Sequence, residues 1–273
     1  MPSLELPAGA LPVPAAPRAL HALHVLGRGI SRAGILLALA VLWEVLPRTG
    51  LADPTFLPCL SEVLAAGWDL ARDGQLAEHT VASLQRSLLG LGLAVLYAVP
   101  LGVAIGWYRR THDVLNPLIE VLRNTAPRAL LPLFILFLGI GEVSKVALVV
   151  YSCSWPLLLN TVAGVRQADP LLVKSARTMG ATPAQLFTRV ILPAALPGVF
   201  VGVRLASAAS ILVLIAAEMV GAKAGLGYLV IYAQYNFQIP QMYFGILSIT
   251  AIGLGINASL ELVERRLMRW KGT

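Results

Sequence analysis

Three stretches of this chain carry no charged side chain at lengths that a water-soluble fold rarely tolerates: 22 residues at 87–108, 20 at 146–165 and 37 at 224–260. About 20 apolar residues wound as a helix cross the hydrocarbon core of a bilayer. Inside that core every backbone N–H and C=O must be satisfied within the protein, and an unbroken apolar run of this length does so as a helix. Composition agrees: 57% of the residues are hydrophobic and 13% charged, against about 25% charged in soluble domains. Mean hydropathy is +0.76. The sequence therefore predicts an all-α, polytopic helical membrane protein.

Six spanning helices are expected, at about 33–47, 84–107, 115–138, 144–165, 196–219 and 243–263. Glu44 and Pro47 interrupt the first, and the third carries Glu120, Arg123 and Arg128. Residues 1–32 form a cytoplasmic leader, 33–266 the transmembrane domain and 267–273 a short tail. The first 17 residues contain five prolines and no continuous apolar core, so they do not resemble a signal peptide. His21 and His24 lack a third ligand nearby and suit an interfacial amphipathic helix better than a metal site. Cys59 and Cys153 make no disulfide framework. No metal site is expected.

Basic residues set the orientation. Arg18, Arg28, Arg32, Arg109, Arg110, Arg166, Lys174, Arg177, Arg189, Arg265, Arg266, Arg269 and Lys271 fall on one side, 13 of the 21 Lys and Arg residues. The opposite side holds Arg48, Arg72 and Lys223, with Asp53, Glu62, Asp69, Asp73 and Glu78 in its long first loop. The positive-inside rule puts both termini in the cytoplasm. This topology accounts for the net charge of +7 without a nucleic-acid partner.

The cytoplasmic loop 166–194 is too well built for a connector. Asp169 can cap a helix that opens on Pro170, and Gly180 arrives where a left-handed terminating residue is wanted. Thr182 and Gln185 then form a capping box around Pro183, with Pro193 expected to close this second short helix. Such a helix pair suits either a bed on the lipid headgroups or a rigid knob for a partner's groove.

The order of these elements and the pattern Ala176, Gly180, Ile191, Leu192, Pro193 resemble the cytoplasmic "EAA" loop of ABC importer permeases. "LRNTAPRALLPLFILFLGIGEVSK" (122–145), "PLLLNTVAGV" (156–165), "LPAALPGVFVGVRLA" (192–206) and "AAEMVGAKAGLGYLV" (216–230) are similar to the nitrate, taurine and aliphatic sulfonate branch of that family. The resemblance covers roughly residues 30 to 270. It implies the type I importer permease fold, a bacterial inner-membrane location and a transport subunit that is not itself an enzyme. It further implies separate ATP-binding subunits that carry the ATP, an extracytoplasmic solute-binding protein and a second permease copy as partners.

Loop 166–194 would then be the ATPase-coupling loop, with Lys174, Ser175, Ala176, Met179, Gly180, Gln185, Leu186 and Pro193 at the contact. The family's Glu-Ala-Ala start is Lys174-Ser175-Ala176 here, which reverses a charge. Arg128 stands where an apolar residue is expected before "ALLPL". No G-x-x-x-x-G-K-[ST] phosphate cradle occurs, and the Gly-rich stretch 221–227 reads as a turn or gate-lining element. Arg123, Arg128, Arg204 and Glu218 are charges inside spans. Arg123, Arg128 and Glu218 are the candidates for a translocation path for a small anion, and Arg204 suits a structural pair near the inner face. A stand-alone channel or secondary anion transporter is the alternative function that such charges leave open.

Overall fold

The computed structural model describes residues 34–267; helices joined by turns and short loops make up that stretch, with no β-strand among the described residues. The leader, with His21 and His24, and the tail residues 268–273 lie outside the described residues. Two units divide the chain, Met1–Ser61 and Glu62–Thr273. In the first, helix α1 (residues 34–48) is 15 residues long as described, or about 22 Å at 1.5 Å per residue. Glu44, which interrupts its apolar run, accepts hydrogen bonds from Ser61 N at 3.0 Å and Ser61 Oγ at 2.9 Å.

The second unit holds α2 (Leu60–Arg72) in nearly its whole length, then α3 (Gln75–Trp107), α4 (Arg109–Arg123), a 3-10 turn (Pro127–Leu130) and α5 (Leu131–Leu138). After these come α6 (Glu142–Arg166), α7 (Pro170–Thr178), α8 (Pro183–Leu186), a π-turn (Phe187–Ile191), α9 (Leu192–Glu218), α10 (Leu226–Tyr235) and α11 (Ile239–Leu267). Among the described residues, four helices are long and apolar enough to cross a membrane, and five if one bent pair counts as a span. The described part of α1 is not among them, which is fewer than the six spans expected.

The bent pair corrects the third expected span. Residues 115–138 are not one helix: α4 and the segment Pro127–Leu138 meet at 82°. Pro127 is the cause, because its ring drives the preceding residue out of helical geometry. Ala126 accordingly sits at φ −62°, ψ 119°. Asn124 Nδ2 and Thr125 Oγ1 fold back onto the carbonyls of Glu120 and Val121 at 2.8 and 3.2 Å. These bonds terminate α4.

Helix α3 starts nine residues before the sequence expectation of 84, since His79 and Ser83 stay helical and find buried partners. At the heart of the unit α6 crosses α9 at backbone contact. A Cβ on Gly198 would stand 2.7 Å from Asn160 O and 2.8 Å from Gly164 Cα. Gly198 and Gly202 are four apart, the small-x-x-x-small spacing that lets apolar helices approach closely in lipid. Around this crossing Ala94, Ala98, Cys153, Leu157, Ala206 and Leu214 form the largest buried cluster. In contrast, the most apolar window of α11 buries none of its residues within the chain.

Candidate functional site

Between α6 and α9 the chain makes the elbow that the sequence anticipates. Asp169 Oδ1 accepts from Leu171 N at 2.7 Å, and Pro170 fills the first helical position, where its missing N–H goes unneeded. Helix α7 lasts nine residues. It closes on Gly180 at φ 80°, with Gly180 N donating to Arg177 O and Ala181 N to Ala176 O, both at 3.0 Å. That pair of bonds is the Schellman closure, and it uses the left-handed geometry that glycine adopts without a Cβ penalty. The capping box follows, with Thr182 N donating to Gln185 Oε1 at 3.0 Å and Gln185 N to Thr182 Oγ1 at 3.3 Å.

The second arm differs from the sequence reading. Pro193 does not close a short helix; the chain stays helical from Pro183 to Glu218 over 36 residues. Pro193 falls in the first turn of α9, where the widened ladder of the preceding π-turn absorbs its missing donor. The elbow is thus one short helix, α7, followed by an arm that is continuous with a span.

Exposure sorts the loop residues. Ala176 is 9% exposed and Leu186 3%, so both hold the elbow together from within. Lys174, Ser175, Gly180 and Gln185 are exposed. Met179 at 82% and Leu171 at 69% offer apolar surface outward.

At the opposite end of α9, the chain builds a cluster that the sequence reading only partly saw. Glu218 is completely buried and its carboxylate accepts from three groups. Ser83 Oγ lies 2.8 Å from both oxygens, Arg86 Nη1 donates at 2.7 Å and Gly227 N at 3.0 Å. Arg86 also donates through Nη2 to Glu142 Oε1 at 2.8 Å and through Nη1 to the Ala224 carbonyl at 2.6 Å, and its Nε pairs with Glu142 as well.

His79 and Ser83 complete the grip. Gly225 N donates to His79 Nδ1 at 3.3 Å and Leu226 N to Ser83 Oγ at 2.9 Å. His79, Ser83 and Arg86 recur at i, i+4 and i+7, so one face of α3, with Glu218, holds four consecutive backbone groups of the turn 224–227. Charges taken from water need this degree of pairing. The stretch 221–227 is accordingly a clamped turn that runs into the first residues of α10.

The sequence missed Arg86, Glu142, Ser83 and His79 because an uncharged-run criterion puts Arg86 at the edge of a span. The available signal was spacing: a helix continued upstream from Leu88 stacks all three α3 residues on one face.

The three path candidates do not converge. Glu218 is sealed in the clamp. Arg123 ends α4, exposed and 3.2 Å from Glu120, and Arg128 lies exposed in the 3-10 turn. Both flank the 82° break. The Tyr151 hydroxyl donates to Leu122 O at 2.7 Å, which sets that break part-way along α6. Arg204 pairs with Glu264 of α11, as a structural charge would.

Crossing apolar helices, a broken span and a capped elbow between spans define the type I fold of ABC importer permeases. The structure superposes on an inward-facing MetNI methionine ABC transporter chain with a TM-score of 0.61 at 18% identity, covering 68% of this chain and 92% of that one. Residues 98–269 match the family of binding-protein-dependent transport system inner membrane components. The chain belongs to that family, and it is a multi-pass membrane protein that serves as the permease component of an ABC importer. It is 34% identical to the taurine transport system permease protein TauC of Escherichia coli over 88% of this chain and 89% of that protein. Against the putative aliphatic sulfonates transport permease protein SsuC of Bacillus subtilis the identity is 32%, over 88% of each.

Proposed function

We propose that this chain forms the translocation path for a small sulfonate-type anion, in an importer whose ATP is hydrolysed on separate subunits. The observation that carries the substrate class is identity of 32–34% over 88% of the chain to a taurine and an aliphatic sulfonate permease. The reading puts both termini and the elbow in the cytoplasm, in keeping with the basic residues at that end. The exposed Leu171, Lys174, Ser175, Met179, Gly180 and Gln185 then meet the ATP-binding subunit. Ala176, Leu186 and Pro193 shape the elbow from behind. The clamped turn 224–227 faces the extracytoplasmic binding protein, and the exposed apolar surface of α11 is available to lipid and to a second permease copy.

In this reading Arg123 and Arg128 flank the anion's path at the break between α4 and α5. Half-helices ending part-way through a bilayer are a recurrent way to present polar groups to a solute.

The test is reconstitution of the chain with its ATP-binding and solute-binding partner proteins. Uptake of labelled taurine and ethanesulfonate is measured against nitrate and methionine. ATP-dependent uptake of the sulfonates alone is the expected result. Uptake that persists without ATP-binding subunits would instead mark a stand-alone channel or secondary transporter.

A further inference from the structure

Two cavities share Trp107, the last residue of α3, as a wall. One, of about 550 Å³, is lined by Val99, Val103, Ala104, Trp107, Phe187 and Leu192 among other residues, and it carries no charged side chain. Val99, Val103 and Trp107 stack at i, i+4 and i+8, so the trough follows α3 lengthwise. Phe187, the first residue of the π-turn, forms its far wall with its ring 5.9 Å from that of Trp107. The second cavity, of about 440 Å³, is lined by Gly106, Trp107, Arg109, His112, Asp113 and Arg166.

Arg109 opens α4 and Arg166 is the last residue of α6, so two different elements deliver guanidinium groups to one hollow. Both are exposed, and among the described residues neither guanidinium makes an ion pair or a hydrogen bond, whereas Arg86, Arg123 and Arg204 are each paired with a glutamate. Asp113 is the single carboxylate on the rim, and it contacts His112 at 3.3 Å.

We propose that the two cavities together bind one anionic phospholipid, with an acyl chain in the trough and the phosphate between Arg109 and Arg166. A trough without charge opening beside two arginines that lack counter-ions is complementary to such an amphiphile, and basic hollows between spans on the cytoplasmic side suit acidic headgroups. Trp107 spans the junction of the two halves, the level at which indole rings settle in a bilayer. A free phosphate would leave the trough empty, and a zwitterionic lipid would bring beside its phosphate a choline ammonium that the two guanidinium groups repel. The occupant lies against the π-turn that joins the elbow to α9.

The experiment uses the full chain in mild detergent, with bound lipid read by native mass spectrometry during titration with phosphatidylglycerol or phosphatidylcholine. Phosphatidylglycerol should bind preferentially at one site per chain. The double variant Arg109→Gln/Arg166→Gln should bind it about 30-fold more weakly, and Arg109→Lys/Arg166→Lys should keep most of the affinity. Ala104→Trp should reduce binding by filling the trough while leaving both arginines in place.

Three outcomes overturn the assignment: equal binding of the two lipids, unchanged binding in the Gln double variant, or displacement by millimolar inorganic phosphate. A fourth is loss of the lipid whenever the ATP-binding subunit is bound, which would make the trough a protein contact. Because binding is read in detergent, the result does not depend on the proposed orientation.

Discussion

The Arg86 guanidinium lies 2.7 Å from the Glu218 carboxylate across 132 residues of sequence, and Glu218 has no exposure to solvent at all. Removing one partner of a buried pair costs about 3–5 kcal/mol, because the other charge remains without compensation. Arg86→Met should therefore lower the thermal midpoint of the purified chain sharply. Adding Glu218→Gln to it should restore part of the loss, because the stranded charge is gone. If Arg86→Met melts with the wild type, the pair does not hold this end of the bundle.

Two glycines in the clamped turn admit no side chain. Gly225 sits at φ 129°, and a Cβ there would stand 2.4 Å from the Glu218 carboxylate; one on Gly227 would stand 2.4 Å from Ile215 O. Gly225→Ala and Gly227→Ala should each destabilise by about 2 kcal/mol or more through strain and overpacking. Gly253 has nothing within 4 Å of its Cβ position, so Gly253→Ala should be neutral or gain up to about 1 kcal/mol in helix propensity. Thermal melts of the three variants give the ranking.

The elbow separates fold from contact. Met179→Asp and Leu171→Asp alter exposed side chains and should leave the helices intact, yet abolish capture of the ATP-binding subunit. Gly180→Val forces a β-branched residue to φ 80°, which costs about 1–3 kcal/mol, and should weaken both elbow and capture. Ala176→Asp buries a charge and discriminates poorly. Affinity capture beside circular dichroism is the measurement, and undiminished capture by both Asp variants would remove this face from the interface.

Gly198 leaves no room at the α6–α9 crossing. Gly198→Leu should push the helices apart and abolish accumulation of folded chain, seen as loss of a monodisperse peak in gel filtration. Gly92→Leu, where a Cβ meets nothing within 4 Å, should fold normally. Normal behaviour of Gly198→Leu would mean that the crossing is not close-packed.

For the path, Arg123→Gln and Arg128→Gln should each reduce sulfonate uptake several-fold at matched membrane levels. The arrangement of α4 predicts that Glu120→Gln, which frees Arg123 from its 3.2 Å neighbour, does not reduce it. Uptake unchanged in both arginine variants would leave those two charges a structural role only.

Local chemistry was legible from the sequence wherever the decisive atoms lie within a few residues. The Asp169 cap, the Gly180 terminator and the Thr182–Gln185 box needed only spacing, and all three appear with the expected bonds. What was not legible depends on contact at a distance. Nothing near Glu218 in the sequence says that Arg86 and Ser83 will enclose it, so a buried carboxylate looked like part of a solute path. Continuity was misjudged in both directions. Pro127 broke a segment that hydropathy joined, and Pro193, expected to stop a helix, sits in the opening turn of one because a π-turn precedes it. A proline's effect depends on the hydrogen-bond ladder around it, and composition does not carry that ladder.

The helix from Pro183 to Glu218 has 36 residues, on the order of 50 Å end to end at 1.5 Å per residue. Its near end is the elbow and its far end is locked to Arg86. Such a beam magnifies angles: a tilt of about 5° at the elbow swings the far end by roughly 4 Å, more than the length of a hydrogen bond. The clamp is then the point where that swing is resisted. The Arg86–Glu218 and Arg86–Glu142 pairs are the contacts that such a swing would load.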